Sequence, residues 1–384
     1  QVAVFYPAAY DASQHQPSPV FVTELVPQGG LPSGWKLVPH YSTEGNKSVV
    51  TIPLEKGIDL YGTGEVYGPL RRNGEEVGFW NKDNYGYLAE KGRRNYQSHP
   101  WVLGVRQDGS AFGVIADNTW RGTLRTDDRS LCFKSEGPAF RVVVIERENP
   151  AGVMRELARL TGYMELPALW TLGYHQCRYS YNPDSRVKEI ADSLRLRRIP
   201  CDVIWMDIDY MDKFKVFTFD PVQFPDPKGL NDYLHGKGFK SVYMIDPGVK
   251  VEKGYFVSDQ GDAGDYWVKD KEGKDFVGRV WPGDCRFPDF TRPEVRLWWA
   301  TLYKDYVATG IDGVWNDMNE PSVFGGVDGS MPATNWHQGG DGLPAGSHLR
   351  YHNVFGYYMV KASREGNLLA NPAKRPFVLS RSNF

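Results

Sequence analysis

Two carboxylates stand beside a tryptophan in Trp315-Asn316-Asp317-Met318-Asn319-Glu320. The stretch directly follows Gly310-Ile311-Asp312-Gly313-Val314, a short run that reads as a buried β-strand. A carboxylate at a strand exit, next to an indole, suits a site that handles a sugar. The ring offers an apolar face for stacking, and the carboxylate can attack or stabilise a cationic anomeric carbon. A lone Asp at such a place is also a good cap for the following turn, but the neighbouring residues make the pattern far more specific than a lone Asp.

Other polar residues fall at comparable places. Arg178 and Tyr179, Asp207 and Asp209, Asp246, Asp317 and Arg381 all lie at or just past the C-terminal ends of predicted strands. In a βα barrel that rim is where active sites are built, whereas a purely structural polar residue has no reason to prefer it.

The elements that must position these residues change character near residue 165. Before it, short β-rich runs such as Val49–Ile52, Ala111–Ile115 and Phe140–Ile145 are separated by Gly, Asn and Asp, which predicts a β-sandwich. Pro150 opens a helix with Val153, Leu157 and Leu160 on one face, and Leu166-Pro167 marks the seam. After it, strand and helix alternate. Strands are expected at 171–176, 203–206, 241–245, the run leading into Asp317, and 377–380. A helix is expected at 185–198, another around Leu230, Tyr233 and Leu234, and a third ahead of Gly310 with Thr291 and Glu294 as a capping box. Alternating units of this kind mean a parallel sheet, either doubly wound or closed as a barrel. The aromatic- and Gly-rich residues 247–290 read as a long active-site loop inserted after the third strand.

Composition excludes several classes. A formal net charge of −2 over 384 residues argues against nucleic acid or an anionic membrane held by bulk electrostatics. No run of 18 apolar residues exists. Cys132, Cys177, Cys201 and Cys285 are widely spaced, which disfavours zinc and a disulfide framework. Gly62-Thr63-Gly64 is followed by Gly68 rather than by a glycine at the dinucleotide-binding position. No P-loop, H-E-x-x-H or G-x-S-x-G is present, and the histidines lack metal-ligand spacing. No metal or organic cofactor is expected. Gln1 leaves the compartment undetermined.

Trp315 to Glu320, continued by Pro321-Ser322-Val323-Phe324, resembles the nucleophile motif of the retaining α-glucosidases of glycoside hydrolase family 31. Trp205 to Asp212, Asp246-Pro247-Gly248, Val280-Trp281-Pro282-Gly283 and Arg375 to Arg381 resemble further motifs of that family in the same order. The resemblance covers roughly residues 55 to 384. It implies an α/β fold: an incomplete (β/α)8 TIM barrel (first five strands) over residues 166–384, preceded by a β-sandwich over 1–165. It also implies exo-acting cleavage of α-glucosides through a glycosyl-enzyme intermediate. Asp317 is then the nucleophile and Glu320 its supporting hydrogen-bond partner in the catalytic group. Asp207 and Arg381 bind sugar hydroxyls, and Tyr179, Trp281 and Trp315 wall the pocket. Ile208, Met244 and Met318 line the subsite of the reacting sugar, which Asp83 approaches from a loop of the sandwich. An α-glucan lyase, α-xylosidase, transglucosylase or noncatalytic carbohydrate-binding relic shares most of these motifs. The family's general acid/base motif lies beyond the arginine motif, and no match to it follows Arg381. The expectation is therefore an N-terminal portion of an enzyme, with the acid/base and the rest of the barrel arriving on a second polypeptide.

Overall fold

Val142–Arg147 is the strand on which the first half of the chain is organised. Successive side chains on a strand point to opposite faces, and here both faces are apolar. Val142 and Val144 belong to one buried cluster, and Val143 and Ile145 to another. The strand lies in an antiparallel sheet ordered Val2–Phe5, Val142–Arg147, Ala111–Ala116, Trp101–Val105 and Asp59–Gly62. A second antiparallel sheet runs His40–Glu44, Lys47–Pro53, Ser130–Ser135, Gly122–Thr126 and Glu76–Phe79. Leu60, Val102, Phe112 and Val114 of the first sheet share one core with Val50, Ile52, Val77, Leu124 and Phe133 of the second. The helix Pro150–Thr161 covers the other face of the first sheet through Val153 and Leu160. Asn149 caps it, its side chain accepting from the Gly152 N–H at 2.9 Å. This is the expected sandwich. The structure, a computed structural model, describes residues 1–15, 35–87 and 89–384.

The chain divides into two units. The sandwich unit holds residues 1–164, 342–354 and 383–384; the other holds 165–341 and 355–382. In the second unit five parallel strands stand in chain order among the described residues: His175–Gln176, Val203–Met206, Lys240–Ile245, Gly313–Asn316 and Val378–Ser380. Helices Asp184–Leu196, Pro227–Gly236 and Pro293–Ala308 alternate with them. Burial on both sides explains why Val203–Met206 and Ser241–Ile245 are continuously apolar or small rather than alternating in polarity. The sheet is the expected open part of a (β/α)8 barrel. No helix among the described residues is long and apolar enough to cross a membrane.

Three local expectations fail. The first parallel strand does not begin at Thr171, because Leu169–Leu172 forms a 3-10 turn and only His175–Gln176 pairs in the sheet. The capping box at Thr291 does not form. Its hydroxyl donates to Asp289 Oδ1 at 2.6 Å, and Glu294 pairs with Arg292 at 2.7 Å. Arg292 takes the N-cap position without a side-chain bond to the helix. Residues 247–290 are more than a loop: Val249–Lys250, Gly283–Arg286 and Val277–Val280 make a three-stranded antiparallel sheet, accompanied by the helix Phe256–Gly264.

Candidate active site

Sheet register brings three strand ends level. Ile245 pairs with Asn316, and Asn316 with Ser380. One residue beyond each stand Asp246, Asp317 and Arg381. The backbone continues the alignment, with Asp317 N–H donating to Ile245 O at 3.2 Å and Arg381 N–H to Asn316 O at 2.9 Å. Met206 pairs with Tyr243, which sets Asp207 level with Met244. Alternation then decides what faces inward. Val203, Trp205 and Asp207 share one face of their strand; Val242, Met244 and Asp246 do the same on the next. Val203, Trp205 and Val242 pack with Trp315 and Phe377, the two indoles meeting at 5.8 Å. An apolar floor therefore lies beneath a layer of carboxyl groups.

Arg381 organises that layer. Its Nε donates to Glu320 Oε1 and its Nη2 to Glu320 Oε2, both at 2.8 Å, a forked geometry that suits a carboxylate. Ser322 adds a hydroxyl bond to Glu320 Oε2 at 2.9 Å. Arg381 Nε also lies 3.0 Å from Asp317 Oδ1, yet that oxygen receives no hydrogen bond. The two observations are compatible, because the Nε hydrogen points at Glu320. Asp317 thus has a positive charge beside it and a lone pair that is not tied up. Asn319 braces this arrangement, donating to Ser380 Oγ at 2.9 Å and accepting from Ser382 N–H at 3.0 Å. Met318, between the acid and its brace, sits at φ 56°, a left-handed conformation that costs a non-glycine residue free energy.

Burial controls the protonation of these acids. It pushes Asp317 up to about 6 against the opposing pull of Arg381, with the Glu320 charge adding to the rise. Asp207 is likewise pushed up to about 6, chiefly by burial, although the Ile208 N–H donates to its Oδ1 at 2.7 Å. Ile208, Met244 and Met318 are all buried.

Tyr179 and Trp281 are exposed, their rings 6.1 Å apart. Phe324 meets Trp281 edge-on at 5.3 Å, and Phe214 lies 6.3 Å from it. Neither Phe324 nor Phe214 is a candidate from sequence; their approach to Trp281 is visible only in three dimensions. Asp246, expected at a strand end but not among the sugar-binding candidates, keeps the same phase as Met244 and so joins this layer. Asp83 belongs to the sandwich unit, where Tyr96 donates its hydroxyl to it at 3.0 Å. Among the described residues no group of three or more His, Cys, Asp or Glu is placed to hold a metal ion.

Comparison with known proteins bears on this geometry. Residues 164–384 match the glycosyl hydrolases family 31 TIM-barrel domain, and residues 14–124 the glycosyl hydrolase 31 N-terminal galactose mutarotase-like domain. The chain is 41% identical over 333 residues to alpha-glucosidase 2 of Bacillus thermoamyloliquefaciens, covering 86% of this chain and 42% of that enzyme. It is 52% identical to a family 31 alpha-glucosidase of known structure from Bacteroides thetaiotaomicron, with a TM-score of 0.79 over 88% of this chain and 55% of that one. The ER glucosidase II heterodimer, solved as a catalytic subunit with the binding domain of a regulatory subunit, matches at 30% identity and a TM-score of 0.82, over 88% and 40% of the respective chains. The chain thus spans less than half of the curated relative it resembles.

Proposed function

The chain belongs to glycoside hydrolase family 31, and from that membership we propose that it serves a retaining, exo-acting α-glucosidase in which Asp317 is the nucleophile. The observation that carries the reading is the state of the Asp317 carboxyl. It is buried, stands 3.0 Å from a guanidinium and is not spent on a hydrogen bond at Oδ1.

In the first step Asp317 attacks the anomeric carbon, the glycosidic C–O bond breaks, and a glycosyl ester forms on the enzyme. Arg381 offsets the negative charge of the nucleophile before attack. Glu320 holds Arg381 in place and, with both oxygens engaged, is a poor proton donor. Asp207, as an ionised acceptor, takes hydrogen bonds from sugar hydroxyls. Ile208, Met244, Met318 and Trp315 supply apolar contact, and Tyr179 and Trp281 form the rim. The leaving oxygen needs a proton, and water needs a base in the second step. We assign both tasks to a carboxyl group other than those of this cluster. The substrate class is an α-glucoside oligosaccharide cleaved at its non-reducing end.

Labelling the assembled enzyme with a mechanism-based glucoside inactivator, followed by peptide mapping, tests the assignment. The expected adduct is on Asp317. A label confined to Asp209 or Glu320 defeats it.

A further inference from the structure

Asp246 is the one carboxyl of the cluster with no work in the reading above, and its surroundings are unusual. The residue is 2% exposed. Neither of its carboxyl oxygens has a hydrogen-bond partner in the protein. Its neighbours in the register are Asp317 on one strand end and, one strand further, Arg381.

The charged and titratable groups acting on it come from every side. Asp317 and Glu320 approach from the loop after Gly313–Asn316, Asp207 from the end of Val203–Met206, and Arg381 from beyond Val378–Ser380. Tyr210 and the Cys285 thiol also lie within electrostatic reach of it. The cation in this set is Arg381, and its Nε and Nη2 already serve Glu320.

Four carboxyl groups therefore share the field of one guanidinium. An ionised carboxylate that is almost fully buried and has no protein hydrogen-bond donor is among the costliest things a protein can bury, and the ordinary outcome is that the group keeps its proton. Glu320 accepts three hydrogen bonds, two from Arg381 and one from Ser322, and Asp207 accepts one from a backbone N–H, so both are better hosts for a negative charge. Asp317 must be an anion to attack. Burial, followed by the Asp317 charge, drives Asp246 well above the usual carboxylate range, in agreement with the geometry.

We propose that Asp246 is the proton-bearing member of this cluster, a permanently neutral acid that lets Asp317 ionise against Arg381 without a second negative charge on the adjoining strand end. It is a positioning residue: it acts on Asp317 through its neutrality and forms no bond to the substrate. The idea rests on Asp317 being the nucleophile, but the state of Asp246 can be measured without any turnover.

Infrared spectroscopy of the purified protein carrying isotope-labelled aspartate reads it directly. At pH 8 Asp317 and Asp207 are ionised, so a protonated-carboxyl carbonyl band that remains belongs to a group held higher. The band is expected in the unmodified protein, in D207N and in D317N, and is expected to vanish in D246N. Absence of the band at pH 8, or its survival in D246N, overturns the proposal. Should D246N fail to fold, the persistence of the band in the unmodified protein, D207N and D317N still decides. The assembled enzyme gives a second readout. Since Asn is a neutral isostere of the protonated acid, D246N is expected to leave the acid limb of its pH profile in place. Removal of a real negative charge beside Asp317 instead moves that limb down by about one pH unit or more, as like charges at close range do, and that result also overturns the proposal. If no glucosidase activity is found, the function proposed above fails while the infrared measurement still decides the state of Asp246.

Discussion

Glu320 grips Arg381 with two parallel hydrogen bonds of 2.8 Å, and its side chain is only 1% exposed. A pair this deep is costly to break from one side, because the partner is left charged and uncompensated. E320Q is expected to lose about 3–5 kcal/mol of stability by denaturant titration, the range for an interrupted buried pair. Its kcat/KM is expected to fall about 100-fold or more, since Arg381 is then free to hydrogen-bond Asp317 directly. A variant with unaltered stability and kinetics shows that the pair is dispensable.

Asp317 carries a stability cost of its own. Its folded-state value is raised from 3.8 to about 6, so the folded protein binds this proton more tightly than the unfolded chain does. The favourable contribution is fully present below about pH 3.8 and is lost as pH rises through about 6. D317N removes the ionisation. It is expected to be more stable than the unmodified protein by up to about 3 kcal/mol at pH 8, with the advantage vanishing near pH 4. Parallel melting curves at the two pH values check this, and an advantage that persists or grows at pH 4 contradicts it.

The same shift shapes activity. The nucleophile must be ionised, so kcat/KM of the assembled enzyme is expected to fall on the acid side of about pH 6. Asp207 rises to a similar value, and the two titrate as a linked set. In D207N the limb is therefore expected to move to lower pH as one neighbouring negative charge disappears. A limb near pH 4 in the unmodified enzyme contradicts the burial argument.

Asp289 shows the opposite sign. His337 Nδ1 lies 2.9 Å from its Oδ1, and neither side chain touches solvent. Burial works to raise Asp289, but His337, Thr291 and the Gln338 N–H together hold it below the usual carboxylate value. Its contribution is thus present above about pH 3.8 and is lost as pH falls through the depressed value. D289A is expected to cost about 3–5 kcal/mol at pH 7, read by urea unfolding. A loss below about 1 kcal/mol shows the pair to be idle.

At the rim, W281A removes an exposed ring that packs against Tyr179 and Phe324. Losing a stacking surface weakens ground-state and transition-state binding alike, so KM is expected to rise about tenfold with kcat nearly unchanged. A fall in kcat at constant KM places Trp281 in the chemistry instead.

The parts of this architecture that could be read in advance share a simple cause. A strand buried on both faces reads as a short apolar run, and the polar residue just past it marks the exit. Val203–Met206 with Asp207, and Ser241–Ile245 with Asp246, are of this kind. Failures came where side chains had a competing partner. Thr291 is a good helix cap by type, but a buried Asp289 claims its hydroxyl. Residues 277–286 carry only short strands around Gly278 and Gly283, too brief for a periodic signal to stand out. Met318, between Asp317 and Glu320, takes a left-handed conformation, and no spacing rule encodes that.

The parallel strands are laid down in the order in which they are made. A chain leaving the ribosome can therefore extend this sheet at one edge only, each βα unit docking on its predecessor. Asp207, Asp246, Asp317 and Glu320 all emerge before Arg381. Until Val378–Ser380 docks, these acids lack the guanidinium that Glu320 grips. The guanidinium thus joins this layer on a strand that follows, in the chain, every acid it serves.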